Sequence, residues 1–381
     1  MTVYDDLISI LFKLPDGRNL EEYFKNILLL AKFSDNDLAE NNTFPQSGVK
    51  KYSSYDEIVM DFNASSQIAI EAQAIFNQKN NTQTKSQVMY LIVAKQAEGS
   101  TVAEALDAAK NIDGKFAKVV PLSRLSADIS AVADWCMTNS RFCDCVVSNV
   151  EDVSDLVENL NNYTYGIFRK NMQEPIASAL ASTSTCGKFG AKDGSAQFTQ
   201  LIGISPEQYT GAEISAMKSN NLAFYTNISP IDGGNTSEFG YNWVVGSRML
   251  GGEFRQRCMI KHYIEKAVGL MALEFFNKKP MYDETGNNLL LTMAQKLFNT
   301  FQTYNLIIPT TAEQVGYELK VTPIRVGKNS IMNTDTEAYN AKRFKLSGYY
   351  YDAIVGEKVD FMFTVDPSEE EVAQILGGGE E

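Results

Sequence analysis

The sequence predicts a mixed α/β (α+β) fold: a layered α/β body with a strand-forming arm at each end. Three observations predict it. Between residues 52 and 168, short apolar runs alternate with helix-like segments, the pattern of a layered structure with largely parallel strands. Two long amphipathic segments follow, around Ile260–Phe275 and Leu290–Tyr304. Outside this alternation, apolar residues recur at period two near both ends of the chain.

The elements are justified in order. Leu7-Ile8-Ser9-Ile10-Leu11-Phe12 is a strand candidate closed by the turn signal Pro15-Asp16-Gly17, with Ile8, Ile10, Phe12 and Leu14 on one face. A terminal strand set off by a turn can pair in its own sheet or in a neighbour's. A second apolar run, Ile27–Phe33, precedes a polar loop, Ser34–Lys51. Ser54 and Glu57 form a capping box for a short helix whose apolar side is Ile58, Val59 and Phe62. Ser65 or Ser66 caps the next helix, in which Ile68, Ala72, Ile75 and Phe76 recur at helical spacing. Val88–Ala94 reads as a strand buried on both faces. Thr101 and Glu104 box the start of a helix carrying Val102, Ala105, Leu106 and Ala109.

The alternation continues with strand Phe116–Val120, helix Ser126–Met137, strand Cys143–Val150, helix Val153–Leu160 and strand Tyr163–Phe168. Residues 182–252 are rich in Gly, Ser and Asn and carry no clear period. The first long helix presents Ile260, Tyr263, Ile264, Ala267, Val268, Met271 and Phe275; the second presents Leu290, Met293, Leu297, Phe298, Phe301 and Tyr304. Strands return at Tyr317–Ile324, Tyr349–Val355 and Val359–Val365, the last with Val359, Phe361, Phe363 and Val365 on one side. An acidic segment, Asp366–Gln374, leads to a glycine-rich end. The expected division is an N-terminal arm over 1–20, an α/β body with an inserted outer part over 21–230, a helical and β C-terminal domain over 231–355, and a C-terminal arm with acidic tail over 356–381.

Composition excludes several function classes. The 381 residues carry 34 Lys and Arg against 47 Asp and Glu, a net charge of −13. Phosphate binding needs a basic stripe, so no nucleic-acid partner is expected. The longest clean apolar run, Val88–Ala94, is far short of the roughly twenty residues that span a bilayer. The acidic start, Met1-Thr2-Val3-Tyr4-Asp5-Asp6, has no basic n-region of a secretory signal. One histidine, His262, rules out two-His metal sites and zincin motifs. Five cysteines (136, 143, 145, 186 and 258) without a CxxC pair argue for reduced thiols rather than a disulfide framework or zinc ribbon.

The remaining candidate chemistry reads as structure. Gly187-Lys188 lacks the Walker A spacing, and Gly233-Gly234 and Gly251-Gly252 sit in polar loops as turns. His262, early in a long helix, reads as a surface or partly buried structural residue; a pair with Cys258 on the same helix face lacks an orienting third group. Cys143 and Cys145 share a strand face and read as small buried hydrophobes. Tyr349-Tyr350-Tyr351 reads as sheet packing rather than base stacking. No catalytic, cofactor or metal constellation emerges.

The ordered motifs resemble the tail sheath-like family of contractile-tailed bacteriophages. Tyr52-Ser53-Ser54-Tyr55-Asp56-Glu57-Ile58-Val59, then Asp61-Phe62, Ser65-Ser66 and Ala72-Gln73-Ala74-Ile75-Phe76-Asn77-Gln78, is similar to the family's "Y-S-S-x-D-E-V, D-F, S-S, A-A-x-x-F-x-Q" series. Tyr4–Ile10 with Leu28-Leu29-Leu30 is similar to its N-terminal arm and first body strand. Phe198–Pro206 is similar to "K-x-L-x-G-V-x-P", Asn220–Thr226 to "K-x-x-N-x-N-x-Y", and Trp243 to a recurrent tryptophan. Phe62-Asn63 departs from the usual "F-G", and residues 100–140 and 325–350 match poorly.

The resemblance implies a structural virion protein, not an enzyme, and no cofactor. Such subunits stack as six-fold rings in a helical lattice around a tail tube, beside baseplate and tail terminator proteins, after synthesis in the bacterial host cytoplasm. Contraction drives the tube through the host envelope ahead of genome ejection. Neighbours are joined by exchanged strands, here Leu7, Ile8, Ile10 and Phe12 at one end and Val359, Phe361, Phe363 and Val365 at the other. Terminal strands suit β-augmentation, and heterologous contacts that do not close give filaments. Glu369, Glu370 and Glu371 face either the tube or solvent, where acids complement a helix N-terminus. A non-contractile tail or baseplate protein, and a cytosolic α/β enzyme, are the competing readings.

Overall fold

Ile27–Ala31 (β1) is five apolar residues buried on both faces, which requires a sheet covered on both sides. The computed structural model describes residues 20–81, 86–149, 161–184, 195–228, 240–308, 316–321, 344 and 346–351, and in it β1 lies inside an eight-stranded sheet. Its other strands are Val49–Tyr52 (β2), Leu91–Lys95 (β3), Lys118–Pro121 (β4), Phe142–Val147 (β5), Thr164–Phe168 (β6), Ala223–Ile228 (β7) and Tyr241–Val245 (β8), in the order β2-β3-β1-β4-β5-β6-β7-β8. The six inner strands run parallel, and β2 and β8 close the edges antiparallel.

Alternation along each strand sorts the core into two layers. Ile27, Leu29, Leu91, Val93, Val120, Phe142, Tyr165 and Tyr225 face one way. That face is covered by helices Leu20–Lys25 (α1), Tyr55–Asp61 (α2), Gln67–Asn77 (α3), and three later ones. Leu28, Leu30, Ile92, Val119, Cys143, Cys145 and Phe224 face the other way, under Val102–Ile112 (α4), Ser126–Thr138 (α5) and Gly211–Ser219 (α7). Ile176–Thr183 (α6) lies wholly inside the first layer, every residue buried, and packs against α3. Two of its hydroxyls donate back to their own helix, Ser182 to Ala179 O at 2.7 Å and Thr183 to Leu180 O at 2.7 Å.

The helix starts follow the local capping chemistry. Thr101 and Glu104 form the reciprocal box, with Glu104 N donating to Thr101 Oγ1 at 3.2 Å and Thr101 N to Glu104 Oε2 at 2.8 Å. Ser66, rather than Ser65, caps α3. Only half of the Ser54 box forms: Ser54 accepts from Glu57 N, but the Glu57 carboxylate takes the Ser53 amide and hydroxyl instead.

Beyond the first layer, Arg255–Asn277 (α8) and Glu284–Thr303 (α9) make a helical hairpin, with a small core of Met271, Phe275, Leu290 and Ala294. Tyr317–Val321 (β9) and Leu346–Tyr350 (β10) form a separate antiparallel two-stranded sheet on that hairpin. Two strands begin three residues from their expected starts because partners set them. β3 begins at Leu91, where its partner β1 begins, and β10 begins at Leu346, opposite Val321. Expected helix Val153–Leu160 and strand Val359–Val365 lie outside the described residues.

Candidate functional site

The sequence-predicted interface residues Leu7, Ile8, Ile10, Phe12, Val359, Phe361, Phe363 and Val365, and Glu369–Glu371, lie outside the described residues. What the structure places are the two roots from which those ends leave the body. At the N-terminal root, α1 spans only six residues yet is held on three sides. Glu22 pairs with Lys51 at 2.8 Å and Lys115 at 3.2 Å, and Lys51 also reaches Asp113 at 3.1 Å. Burial alone would raise the Glu22 pKa, but its two lysine partners outweigh it and hold the carboxyl below its usual value.

Tyr23 and Phe24 bury the other side of α1 against α8. Tyr23 Oη lies 3.0 Å from Nε2 of His262 and 3.4 Å from the Ser140 carbonyl. Nδ1 of His262 is buried without a hydrogen-bond partner among the described residues. The arrangement that satisfies most groups has Nε2–H donating to Tyr23 and Tyr23 donating to Ser140, leaving only an acceptor lone pair unused. Burial first, then the nearby charges of Lys266 and Arg141, pushes the His262 pKa well below its usual value, so the ring is neutral. Burial likewise pushes the Tyr23 hydroxyl up to about 12. The expectation of a surface or partly buried histidine is corrected: His262 is 2% exposed and ringed by Tyr23, Phe24 and Phe142. Its partner Tyr23 is 239 residues away, beyond any local signal.

At the C-terminal root, β9 lies on α9, with the Tyr317 hydroxyl donating to Asn299 Oδ1 at 2.6 Å. Phe344 stands edge-on to Phe275, ring centroids 4.9 Å apart. Tyr350 packs on the core, whereas Tyr349 and Tyr351 are half exposed, and Tyr349 donates to Glu318 at 2.6 Å. Sheet packing thus accounts for one of the three tyrosines. A two-stranded sheet is marginal alone and gains from further strands.

One polar cluster of the body is sealed in the interior. Arg255 pairs with Asp144 at 3.1 Å and Ser184 Oγ at 3.0 Å, and Lys118 donates to the Ala181 carbonyl at 2.5 Å, all in the interior. Cys136, Cys143 and Cys145 are buried in the second layer. The Cys143 thiol is pushed well up by its bond with Cys136 as well as by burial, and the Cys145 thiol by its bond with Cys143 and by burial, so neither is a poised nucleophile. The crevice at the carboxyl ends of β1 and β4, where α/β proteins often hold ligands, measures about 290 Å³. An ion pair crosses it, Lys32 to Asp128 at 3.0 Å, with Ser123 donating to Asp128 at 2.6 Å. Among the described residues, no three His, Cys, Asp or Glu side chains are grouped to hold a metal, and no helix is long and apolar enough to cross a membrane.

No family model and no curated protein matches the chain. Solved structures do. A chain of the anti-feeding prophage baseplate superposes with a TM-score of 0.63 at 14% identity, covering 91% of this chain and 94% of that one. The sheath complex of the PVC extracellular contractile injection system, in its contracted state, gives 0.64 at 12% identity, covering 96% of each chain. The chain has the fold of a contractile sheath protein. The contracted helical sheath of the anti-feeding prophage repeats the match, at 0.63 and 13% identity over 95% of this chain and 96% of that one. The mixed α/β class expected from the alternation, and the likeness to tail sheath proteins expected from the motif series, are both found in the fold.

Proposed function

We propose that this chain is a sheath subunit of a contractile, phage-tail-like injection apparatus. The observation that carries the reading is the near-complete two-way coverage of sheath chains, 95–96%. The sealed polar cluster around Arg255 agrees with a structural role. The subunit polymerises as six-fold rings in a helical stack around a tail tube, between a baseplate and a terminator. Its terminal strands add to a neighbour's sheet, and the marginal β9–β10 pair is the acceptor that gains most from them. Contraction needs no nucleotide if the extended lattice is a trapped state that relaxes to a better-packed one.

Negative-stain electron microscopy of the purified protein tests the reading. Hollow, cross-striated cylinders are expected, alone or with the cognate tube protein; discrete particles under both conditions would refute it. Removing residues 1–14 is expected to leave a folded subunit that does not polymerise. Reversing the charges of Glu369–Glu371 is expected to weaken sheath–tube assembly at low salt if that segment meets the tube. A second reading, a structural component at the baseplate end, is favoured by the baseplate assembly among the matched structures. Short collars in place of long cylinders would select it.

A further inference from the structure

A sheet ends in strands whose outer amides and carbonyls can pair with another chain. The eight-stranded sheet ends in β2 and β8. β2 carries Lys50 and Lys51, charges that a strand docking there would have to desolvate. β8, Tyr-Asn-Trp-Val-Val, has no charge and no proline, and its aromatic and branched residues favour strand pairing. Tyr241 is 56% exposed and stacks on Trp243, ring centroids 4.9 Å apart.

Residues 197–199 lie across the outer edge of β8. The Val244 amide donates to the Thr199 carbonyl at 3.0 Å, and the Phe198 amide donates to the Val244 carbonyl at 2.9 Å. Both groups of Val244 therefore point away from β7, and in an antiparallel ladder the other outward position of β8 is Asn242. Just past the strand, the Gly246 amide donates to Gln197 Oε1 at 2.7 Å. Two residues, Phe198 and Thr199, oppose the single Val244, which is the count of a β-bulge. Phe198 holds the bulged position at φ +59°, a left-handed conformation usually given to glycine. The bulge bends this segment away, so it ends the sheet instead of extending it. Ala196 and Leu201, on either side, are buried; the Leu201 amide donates to the Tyr225 hydroxyl at 3.2 Å, and Asn81 donates to the Gln200 carbonyl at 2.7 Å. The Phe198 ring stands edge-on to Trp243, centroids 5.1 Å apart. So uncommon a backbone conformation for phenylalanine persists where its surroundings over-determine it.

We propose that residues 197–199 are an edge guard: they occupy the outer backbone groups of β8 that would otherwise pair with β8 of a second copy. A second copy is the competitor because an antiparallel β8–β8 pair closes on a two-fold axis and brings no like charges together. The guard stands on the edge geometry; its use rests on the reading of the subunit as a sheath protein. A chain that joins its neighbours by strand addition has to offer one acceptor and close its other edges, or wrong pairs compete with the right one. β2 is closed by charge and β8 by the bulged segment.

The test uses the full chain at concentrations where the wild type is unpolymerised. Phe198→Pro removes the amide that bonds Val244 and cannot take a positive φ, so it releases the guard. Amide exchange at Val244 is expected to be at least about tenfold faster in dilute Phe198→Pro than in the wild type, and to slow again as concentration rises and dimers form in sedimentation velocity. Phe198→Gly keeps the amide and suits the left-handed backbone, so it is expected to stay monomeric with Val244 protected. Phe198→Pro/Tyr241→Lys adds a charge to the pairing strand and is expected to stay monomeric with Val244 fast. Circular dichroism checks the fold; should Phe198→Pro not fold, Gln197→Ala/Phe198→Ala removes the side-chain anchors alone and is expected to act in the same direction. An unchanged Val244 rate in a folded guard variant would overturn the proposal. So would a fast Val244 in a variant that never dimerises, or dimers in which Val244 stays fast. Microscopy separates the two readings: concentration-dependent protection of Val244 in the variant, with no cylinders from the wild type at any tube concentration, would keep the guard and end the sheath assignment.

Discussion

Acidification between pH 6.5 and about 5 is expected to destabilise this fold through one side chain. His262 is the chain's only histidine, and it is 2% exposed with its ring held neutral. Its folded pKa lies well below the ordinary value of 6.5. Above pH 6.5 both states carry a neutral ring, and the stabilisation is fully present. Below it the unfolded chain binds a proton that the folded chain refuses, so stability falls as pH falls, until the folded pKa is reached. One proton limits the slope to about 1.4 kcal/mol per pH unit.

The charged ring would place a second donor at Nδ1, where the described residues offer no acceptor, and would feel the nearby cations Lys266 and Arg141; Tyr23 lies at the other nitrogen and donates its own hydroxyl to the Ser140 carbonyl. Glu265, whose pKa burial raises, opposes the trend, since its folded form holds a proton more tightly than the unfolded one. Comparing the wild type with His262→Gln removes that common contribution. Equilibrium urea unfolding, followed by the fluorescence of Trp135 and Trp243, is the assay at pH 7.5, 6.5, 5.5 and 5.0. The two stability curves should converge toward acid pH by up to about 1.4 kcal/mol per unit. Parallel curves would refute the buried neutral histidine.

Three further outcomes follow from packing. Asp144→Ala takes the carboxylate from buried Arg255 and is expected to cost about 3–5 kcal/mol, whereas Asp144→Leu with Arg255→Met should recover much of it; thermal unfolding of both variants checks this. Gly246→Ala is expected to destabilise by about 1–3 kcal/mol, because at φ +114° its Cβ would meet the Ala223 backbone at 2.8 Å and part β7 from β8; the unfolding midpoint is the readout. Thr101→Ala removes the acceptor for Glu104 N and should cost about 1 kcal/mol, seen as faster amide exchange at the start of α4.

The legible part of this protein was local. Ser66, Thr101 and Glu104 carry their helix starts in their own side chains, within three residues of the amides they cap. Ile27–Ala31 and Phe142–Val147 announce double-sided burial by having too few polar residues to face water. Tyr241–Val245 escaped notice because an edge strand is half exposed and its pattern is weak. The strand order β2-β3-β1-β4 was not legible, since parallel neighbours are joined across helices and any of several orders buries the same residues. His262 looked like a boundary residue because its burial is supplied by Tyr23, Phe24 and Phe142, from two other stretches of chain. The sequence by itself therefore determined the capped helix starts and the buried strands between residues 88 and 168. The tertiary structure alone decided which faces meet and which charges are sealed, because those depend on contacts between residues that no short-range pattern links.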